Sequence, residues 1–220
     1  MQANPGTNRG RMVLLLIAGI PVTVILAATW LWWFVVRGDL DLVGMLGTAN
    51  RGELIQPPRA LAQVEFTAAR GAVPPWADRD HQWSLLVANS GPDCGPQCEH
   101  NLYLTRQIHM AMGKEVPRIR RLYVADRSPM ETALAVAELS DQRPLPVDFP
   151  ALLATEHRGL SPLQIEAAAF QDLFPEQLAA ADTWYLVDPA GWLMMAYDGD
   201  DSYKDVISDL KFLLKNSGDQ

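Results

Sequence analysis

Trp83-Ser84-Leu85-Leu86-Val87-Ala88, followed by Asn89-Ser90-Gly91-Pro92 and then Asp93-Cys94-Gly95-Pro96-Gln97-Cys98, is the stretch on which the fold turns. Five of its first six residues are apolar, the pattern of a strong strand. Asn-Ser-Gly-Pro breaks that strand. From Gln97 to Met112 the apolar residues Leu102, Tyr103, Ile108 and Met112 recur at helical spacings, and Gly113 stops the run. Ile119 to Ala125 is a second apolar strand, so the segment reads as a parallel βαβ unit with both cysteines at the strand-to-helix junction.

Outward from this unit the sequence predicts further elements. Ala62 to Phe66 alternates as a short strand, and Ser128-Pro129-Met130-Glu131 opens a helix to about Ser140, with Ser as cap and Glu three residues later. Phe149 to Thr155 reads as a short strand, and Ser161-Pro162 as the start of a helix to about Phe174. Thr183 to Val187, the turn Asp188-Pro189-Ala190-Gly191 and Trp192 to Tyr197 form a hairpin. A last helix runs from Asp201-Ser202 to about Leu214, with Val206, Ile207, Leu210 and Leu214 on one face. The order predicts an α/β sheet with helices on both faces.

Residues Met12 to Val36 form 25 positions without a charge, long enough to cross a bilayer and well beyond the roughly 7–15 apolar residues of a signal core. Arg9 and Arg11 precede this run without an acid, whereas Asp39 and Asp41 follow Arg37. That asymmetry predicts a cytoplasmic N-terminus, with Trp30, Trp32 and Trp33 at the outer interface. The expected organisation is a tail over 1–11, a single transmembrane helix over 12–36, a juxtamembrane linker over 37–51 and an extracytoplasmic domain over 52–216. Arg9, Arg11 and Arg37 are the only charges in the first 37 residues, so residues 38–220 hold 15 basic and 26 acidic side chains, a net charge of −11. That balance argues against nucleic acid as a partner and against docking on anionic lipid.

The chain has two cysteines, four positions apart. In an oxidising compartment such a pair forms a disulfide, is kept reduced for a purpose, or binds metal. At a helix N-terminus the dipole and unpaired N–H groups favour a thiolate, with Cys94 expected to be the more exposed and more acidic. With Cys98 in the helix, both sulfurs lie on one face one turn apart. That geometry suits a disulfide, or half of a soft-metal site of the kind Cu(I) prefers. His100 should point away from that face, His157 sits in a loop able to approach it, and His109 reads as a partly buried helical residue. Arg118, Arg120 and Arg121 read as exposed positions beside Ile119 and Leu122, one of Met194 and Met195 as core, and Asp198, Asp200 and Asp201 as a capping turn rather than a calcium loop. No phosphate-binding glycine motif, zinc-protease helix or Gly-x-Ser-x-Gly elbow occurs.

The strand, the Cys94-x-x-x-Cys98 turn and the helix resemble the Sco family when taken with the anchor and the Leu186-Val187-Asp188-Pro189-Ala190-Gly191 hairpin. The resemblance extends over roughly residues 52 to 216 in element order. It implies a thioredoxin-like, Sco-like domain behind an N-terminal transmembrane helix in the cytoplasmic membrane, with the domain in the periplasm. It also implies a role in cytochrome c oxidase assembly in which Cys94 and Cys98 bind copper or exchange with cysteines of an oxidase subunit, Cys94 attacking and Cys98 resolving. Glu99 stands where the family motif continues with Pro, and Leu178 to Thr183 contains neither the family's copper-binding His nor a thioredoxin cis-Pro. The alternatives are a general extracytoplasmic thiol-disulfide oxidoreductase acting on other cysteine proteins, or a thioredoxin-like domain that only binds a partner.

Overall fold

The structure, a computed structural model, describes residues 5–36, 50–68 and 82–216. It divides into a helical unit and a domain from Asn50 onward, each compact in itself. Most of the linker expected over 37–51 lies outside the described residues, as do residues 1–4 of the expected tail.

Helix α1 runs Pro5–Val36, 32 residues, and so includes residues 5–11 as helix. The hydroxyls of Thr23 and Thr29 donate back to carbonyls of the preceding turn, Thr23 to Gly19 and Ile20 and Thr29 to Ile25. Along α1 the apolar side chains of Leu15, Ile17, Ile25, Leu26 and Trp30 are exposed. Among the described residues no helix is long and apolar enough to cross a membrane.

Among the described residues the domain is built on a seven-stranded sheet. Its strands are β1 (Glu53–Ala60), β2 (Thr67–Ala68), β3 (Trp83–Asn89), β5 (Ile119–Ala125), β7 (Leu160–Gln164), β8 (Trp184–Val187) and β9 (Trp192–Tyr197). Two further short strands, β4 (Asp93–Cys94) and β6 (Ala133–Leu134), pair separately. In the large sheet the order is β1-β9-β8-β3-β5-β7-β2. β3, β5 and β7 are parallel, and β8 and β9 form the expected antiparallel hairpin. Every residue of β3 and β5 is buried, which is why their sequences carry no polar alternation.

Helices cover both faces, as expected: α2 (Pro96–Ala111), α3 (Phe149–Thr155), α4 (Ala167–Leu173), α5 (Pro175–Ala179) and α6 (Tyr203–Asn216). Leu85, Val87 and Tyr123 pack with Leu102 and Ile108 of α2, Phe149 and Leu152 of α3, and Val206 and Leu210 of α6. On the other face Leu86, Ala88, Leu122 and Val124 pack with Phe170 and Leu173 of α4 and with Ile55 and Leu61.

Four expected elements differ. The strand expected at Ala62 to Phe66 lies earlier, as β1, which pairs with β9 at the sheet edge; the register shift between Leu54 and Arg59 admits Pro57 and Pro58, which lack a ladder donor. The helix expected from Ser128 stops after one turn, in which Ser128 O accepts from Glu131 N and Thr132 Oγ1. The chain then extends as β6 along β4, satisfying backbone groups that a helix would have left bare. Phe149 to Thr155 is helix α3, capped by Asp148, whose carboxylate accepts from Ala151 N at 2.7 Å. Its buried Phe149, Leu152 and Leu153 follow i, i+3, i+4 spacing. Ser161-Pro162 lies inside β7, because the open edge of β5 takes this segment as its parallel partner, and the helix begins only at Ala167.

Arg120 and Arg121, expected in solvent, are buried at 9% and 3% exposure. Arg120 Nε donates to Ser84 Oγ at 2.6 Å on one face of the sheet. On the other, Arg121 donates to Leu102 O at 2.7 Å and to Thr105 Oγ1 at 3.3 Å of α2. In a central parallel strand both faces are covered, so no side chain of β5 has a solvent side.

Candidate redox site at the Cys94–Cys98 disulfide

The end of β3 is tied to the end of β5. Ser90 Oγ and Gly91 N donate to the Asp126 carboxylate, Asn89 Nδ2 donates to Asp93 O, and Gly91 turns the chain with φ of 91°. Gly95 caps α2 and Pro96 occupies its first turn, which needs no backbone donor there. Cys98 is therefore in the first turn, with Cys94 just before it. The two are joined as a disulfide with Cα atoms 5.3 Å apart, the pairing that the spacing allows. On reduction, the α2 N-terminus would favour thiolates at this position.

Cys94 is not the exposed member. It is 0% exposed, Cys98 5%. The cause is the pairing of β4 with β6, which sets Cys94 opposite Leu134, and the packing of Leu134 and Leu139 on the cluster that contains both cysteines. Glu99, also buried, accepts from Ser140 N at 3.1 Å and from Ser140 Oγ at 2.6 Å. Neither Glu99 nor Ser140 stands out as a site residue in the sequence, and at 41 positions apart no local pattern could have joined them. A cleft of about 440 Å³ opens beside this contact, lined by Pro96, Gln97, His100, Leu139, Ser140 and Asp182 among others. Asp182 belongs to the loop in which the family resemblance calls for a His.

The three described histidines, His100, His109 and His157, bond to other groups. His100 is exposed, with Nδ1 3.2 Å from Ser140 Oγ. His109 Nε2 donates to Ile119 O at 2.9 Å and joins α2 to the start of β5. His157 is buried at the far end of a polar chain: its Nδ1 accepts from Arg121 at 3.2 Å, since a guanidinium only donates, and Arg106 beside it bonds Asp141 and Glu156. Among the described residues no group of three His, Cys, Asp or Glu is placed to hold a metal. The pair thus supplies two sulfur donors, bonded to each other, and not a complete copper site. Met195 is the core residue of its pair, and Asp198, Asp200 and Asp201 bond within one turn before α6.

Burial, with the charges of Arg121 and then Arg106, lowers the His157 pKa from 6.5 to about 3, against a smaller opposing effect of Asp141. The unfolded chain takes up this proton near pH 6.5 and the folded chain does not. The associated stability is therefore complete above pH 6.5 and is lost as pH falls toward 3, by up to about 1.4 kcal/mol per pH unit. Urea unfolding from pH 7.5 to 4.5 should show this slope, and His157→Asn should flatten it.

No curated relative matches the chain in sequence. Among solved structures, yeast Sco1 superposes with a TM-score of 0.50 at 13% identity, over 76% of this chain and 97% of that one. Apo Sco1 from Thermus thermophilus has a TM-score of 0.47 at 17% identity, over 76% and 99%. Bradyrhizobium japonicum ScoI with copper bound has 0.44 at 15%, over 68% and 96%. At these identities the likeness is one of fold, a Sco-like thioredoxin fold. The family model described as "Transmembrane-like, thioredoxin-like, C-terminal domain" matches residues 83–217, from the first residue of β3 to just past the end of α6. A match that spans the βαβ unit, the cysteine junction, the hairpin and the final helix makes this chain a member of that transmembrane-like, thioredoxin-like family.

Proposed function

We propose that the protein is a membrane-tethered, Sco-like accessory factor for cytochrome c oxidase assembly, acting by thiol-disulfide exchange through Cys94 and Cys98. The observation that carries this reading is the Cys94–Cys98 disulfide at the start of α2, at the carboxyl edge of a thioredoxin-like sheet and beside an open cleft. A structural role is a poor account of so short a loop, because closing it removes little chain entropy. Disulfides persist in extracytoplasmic compartments, which agrees with a periplasmic domain. The tether is read from the sequence alone, from the uncharged run Met12 to Val36 and the arginines that precede it, and not from helix α1, which is not long and apolar enough among the described residues to cross a membrane.

In the exchange, a thiolate of a partner dithiol attacks one sulfur of the pair, the Cys94–Cys98 bond breaks, and the other sulfur leaves as a thiolate and takes a proton. The partner's second thiolate then attacks the mixed disulfide. The partner ends as a disulfide and this protein as a dithiol, two electrons richer. Copper enters as cargo of the reduced pair, whose two sulfurs suit Cu(I).

The test is a strain lacking this protein, complemented with the wild type or with Cys94→Ala, Cys98→Ala. Oxidase activity and copper content should fall in the deletion strain and return only with the wild type. Normal activity and copper content without the protein would refute the assignment to oxidase assembly, and turnover of unrelated dithiols would then favour a general oxidoreductase.

A further inference from the structure

We infer that residues 133–142 form a strap that closes the Cys94–Cys98 disulfide against thiols, and that the Glu99–Ser140 contact is its latch. The inference deepens the exchange reading and rests on it for its biological meaning. Exchange requires a thiolate to approach along the S–S axis, yet Cys94 is 0% exposed and Cys98 5%. Residues 133–139 lie directly against the pair, with Leu134 opposite Cys94 in the β4–β6 ladder. Ala133 N donates to Pro92 O, and Ala135 N to Cys94 O. Leu134 and Val136 pack on the cluster that holds the cysteines, and Leu139 is buried there.

Between β6 and Ser140 the segment has no regular structure, and its Ala135, Ala137 and Glu138 face solvent. Its far end is held by side chains rather than by a ladder. The Glu99 carboxylate takes both Ser140 donors, Gln142 N turns back to Leu139 O with Gln142 at φ 59°, and Arg106 bonds Asp141 at 2.6 Å. The cleft of about 440 Å³ is lined along one side by Glu138, Leu139, Ser140 and Gln142 of the strap. Loss of the Glu99–Ser140 contact would therefore release residues 135–140 while the sheet and α2 remain in place. Such local opening is the ordinary route by which a buried group in a stable domain becomes reactive.

The experiment measures reduction of the disulfide by dithiothreitol in the folded, full-length protein in detergent. One reductant thiolate attacks a sulfur of the pair, the other sulfur leaves, and the second reductant thiol closes the oxidised ring. Wild-type reduction should be slow compared with an exposed peptide disulfide. Ser140→Ala should accelerate it about tenfold and Glu99→Ala further, in proportion to the charge-assisted hydrogen bonds removed. Low urea should leave these rates nearly unchanged, since local opening exposes little surface. The Ala135 and Ser140 amides should exchange hydrogen faster in the same variants. Leu173→Ala, on the opposite face of the sheet, should lower stability without speeding reduction. Wild-type reduction as fast as that of the exposed peptide, unchanged rates in both latch variants, or equal acceleration by Leu173→Ala would overturn the strap. Because the reductant is a small dithiol, this result stands apart from the oxidase phenotype: normal oxidase assembly without the protein would refute the function and leave the latch intact.

Discussion

Replacing Cys94 and Cys98 together by Ala is expected to abolish thiol exchange while leaving a folded domain. The closed loop contains so few residues that the chain-entropy loss is roughly 2 kcal/mol, and emptying two buried thiol positions adds roughly 1–2 kcal/mol. Both sulfurs belong to the core that includes Val87, Leu102 and Tyr123, so a cost of this order is unavoidable. A typical domain has about 5–15 kcal/mol of stability and withstands it. The double variant should unfold cooperatively, with a melting temperature lower by about 6–16 °C. In the deletion strain it should behave as an empty vector. Full complementation by this variant would show that the disulfide is structural and that the domain works only by binding a partner. The melting curve keeps the two explanations apart, since loss of function by unfolding would appear as loss of the transition.

A second large effect is expected away from the cysteines, at Asp209 on α6. Its buried carboxylate accepts from Arg51 N at 2.9 Å, Gly52 N at 3.3 Å and the Tyr197 hydroxyl at 3.1 Å, and so joins the entry to β1, the end of β9 and the last helix. Burial, followed by the Asp209 charge, raises the Tyr197 pKa, which keeps that hydroxyl a donor. The neighbourhood cannot relax to compensate. Tyr197 stacks on Trp184 with ring centroids 4.7 Å apart, and a Cβ at Gly52 would lie 2.5 Å from the Tyr197 ring. Asp209→Ala removes the acceptor of Arg51 N and Gly52 N and leaves the Tyr197 hydroxyl only Met195 Sδ at 3.5 Å; it should cost about 3–5 kcal/mol, lowering the melting temperature by roughly 10 °C, whereas Asp209→Asn keeps one acceptor oxygen and should cost about half as much. Thermal unfolding of the full-length chain followed by near-ultraviolet circular dichroism decides it. A loss below about 1 kcal/mol for the alanine variant would mean that water replaces the carboxylate at no cost.

Much of the architecture was legible because its signals are local. Trp83 to Ala88 and Ile119 to Ala125 read as strands, the apolar spacing from Gln97 to Met112 as a helix and Asp188 to Gly191 as a hairpin turn, and each element forms there. The failures also share a cause. Ser128-Pro129 and Ser161-Pro162 are sound helix-start signals, but the backbones of β4 and β5 need ladder partners, and those partners come from β6 and β7. Pairing over such distances overrides a local propensity worth about a kcal/mol or less. Phe149 to Thr155 failed differently, since Asp148 and the i, i+3, i+4 spacing of Phe149, Leu152 and Leu153 were visible and point to the helix that forms.

The sequence by itself determined that two cysteines stand at a strand-to-helix junction of an α/β domain, behind an uncharged run of 25 residues, because each of these follows from spacing and composition. Tertiary structure alone decided that Arg120 and Arg121 are buried, that His157 joins Arg121 rather than the sulfurs, and that Cys94 is covered. The physical reason is common to all three. Burial is set by what folds over a residue, and the helices on the two faces of β5, the loop around His157 and residues 133–142 carry no local mark of where they will pack.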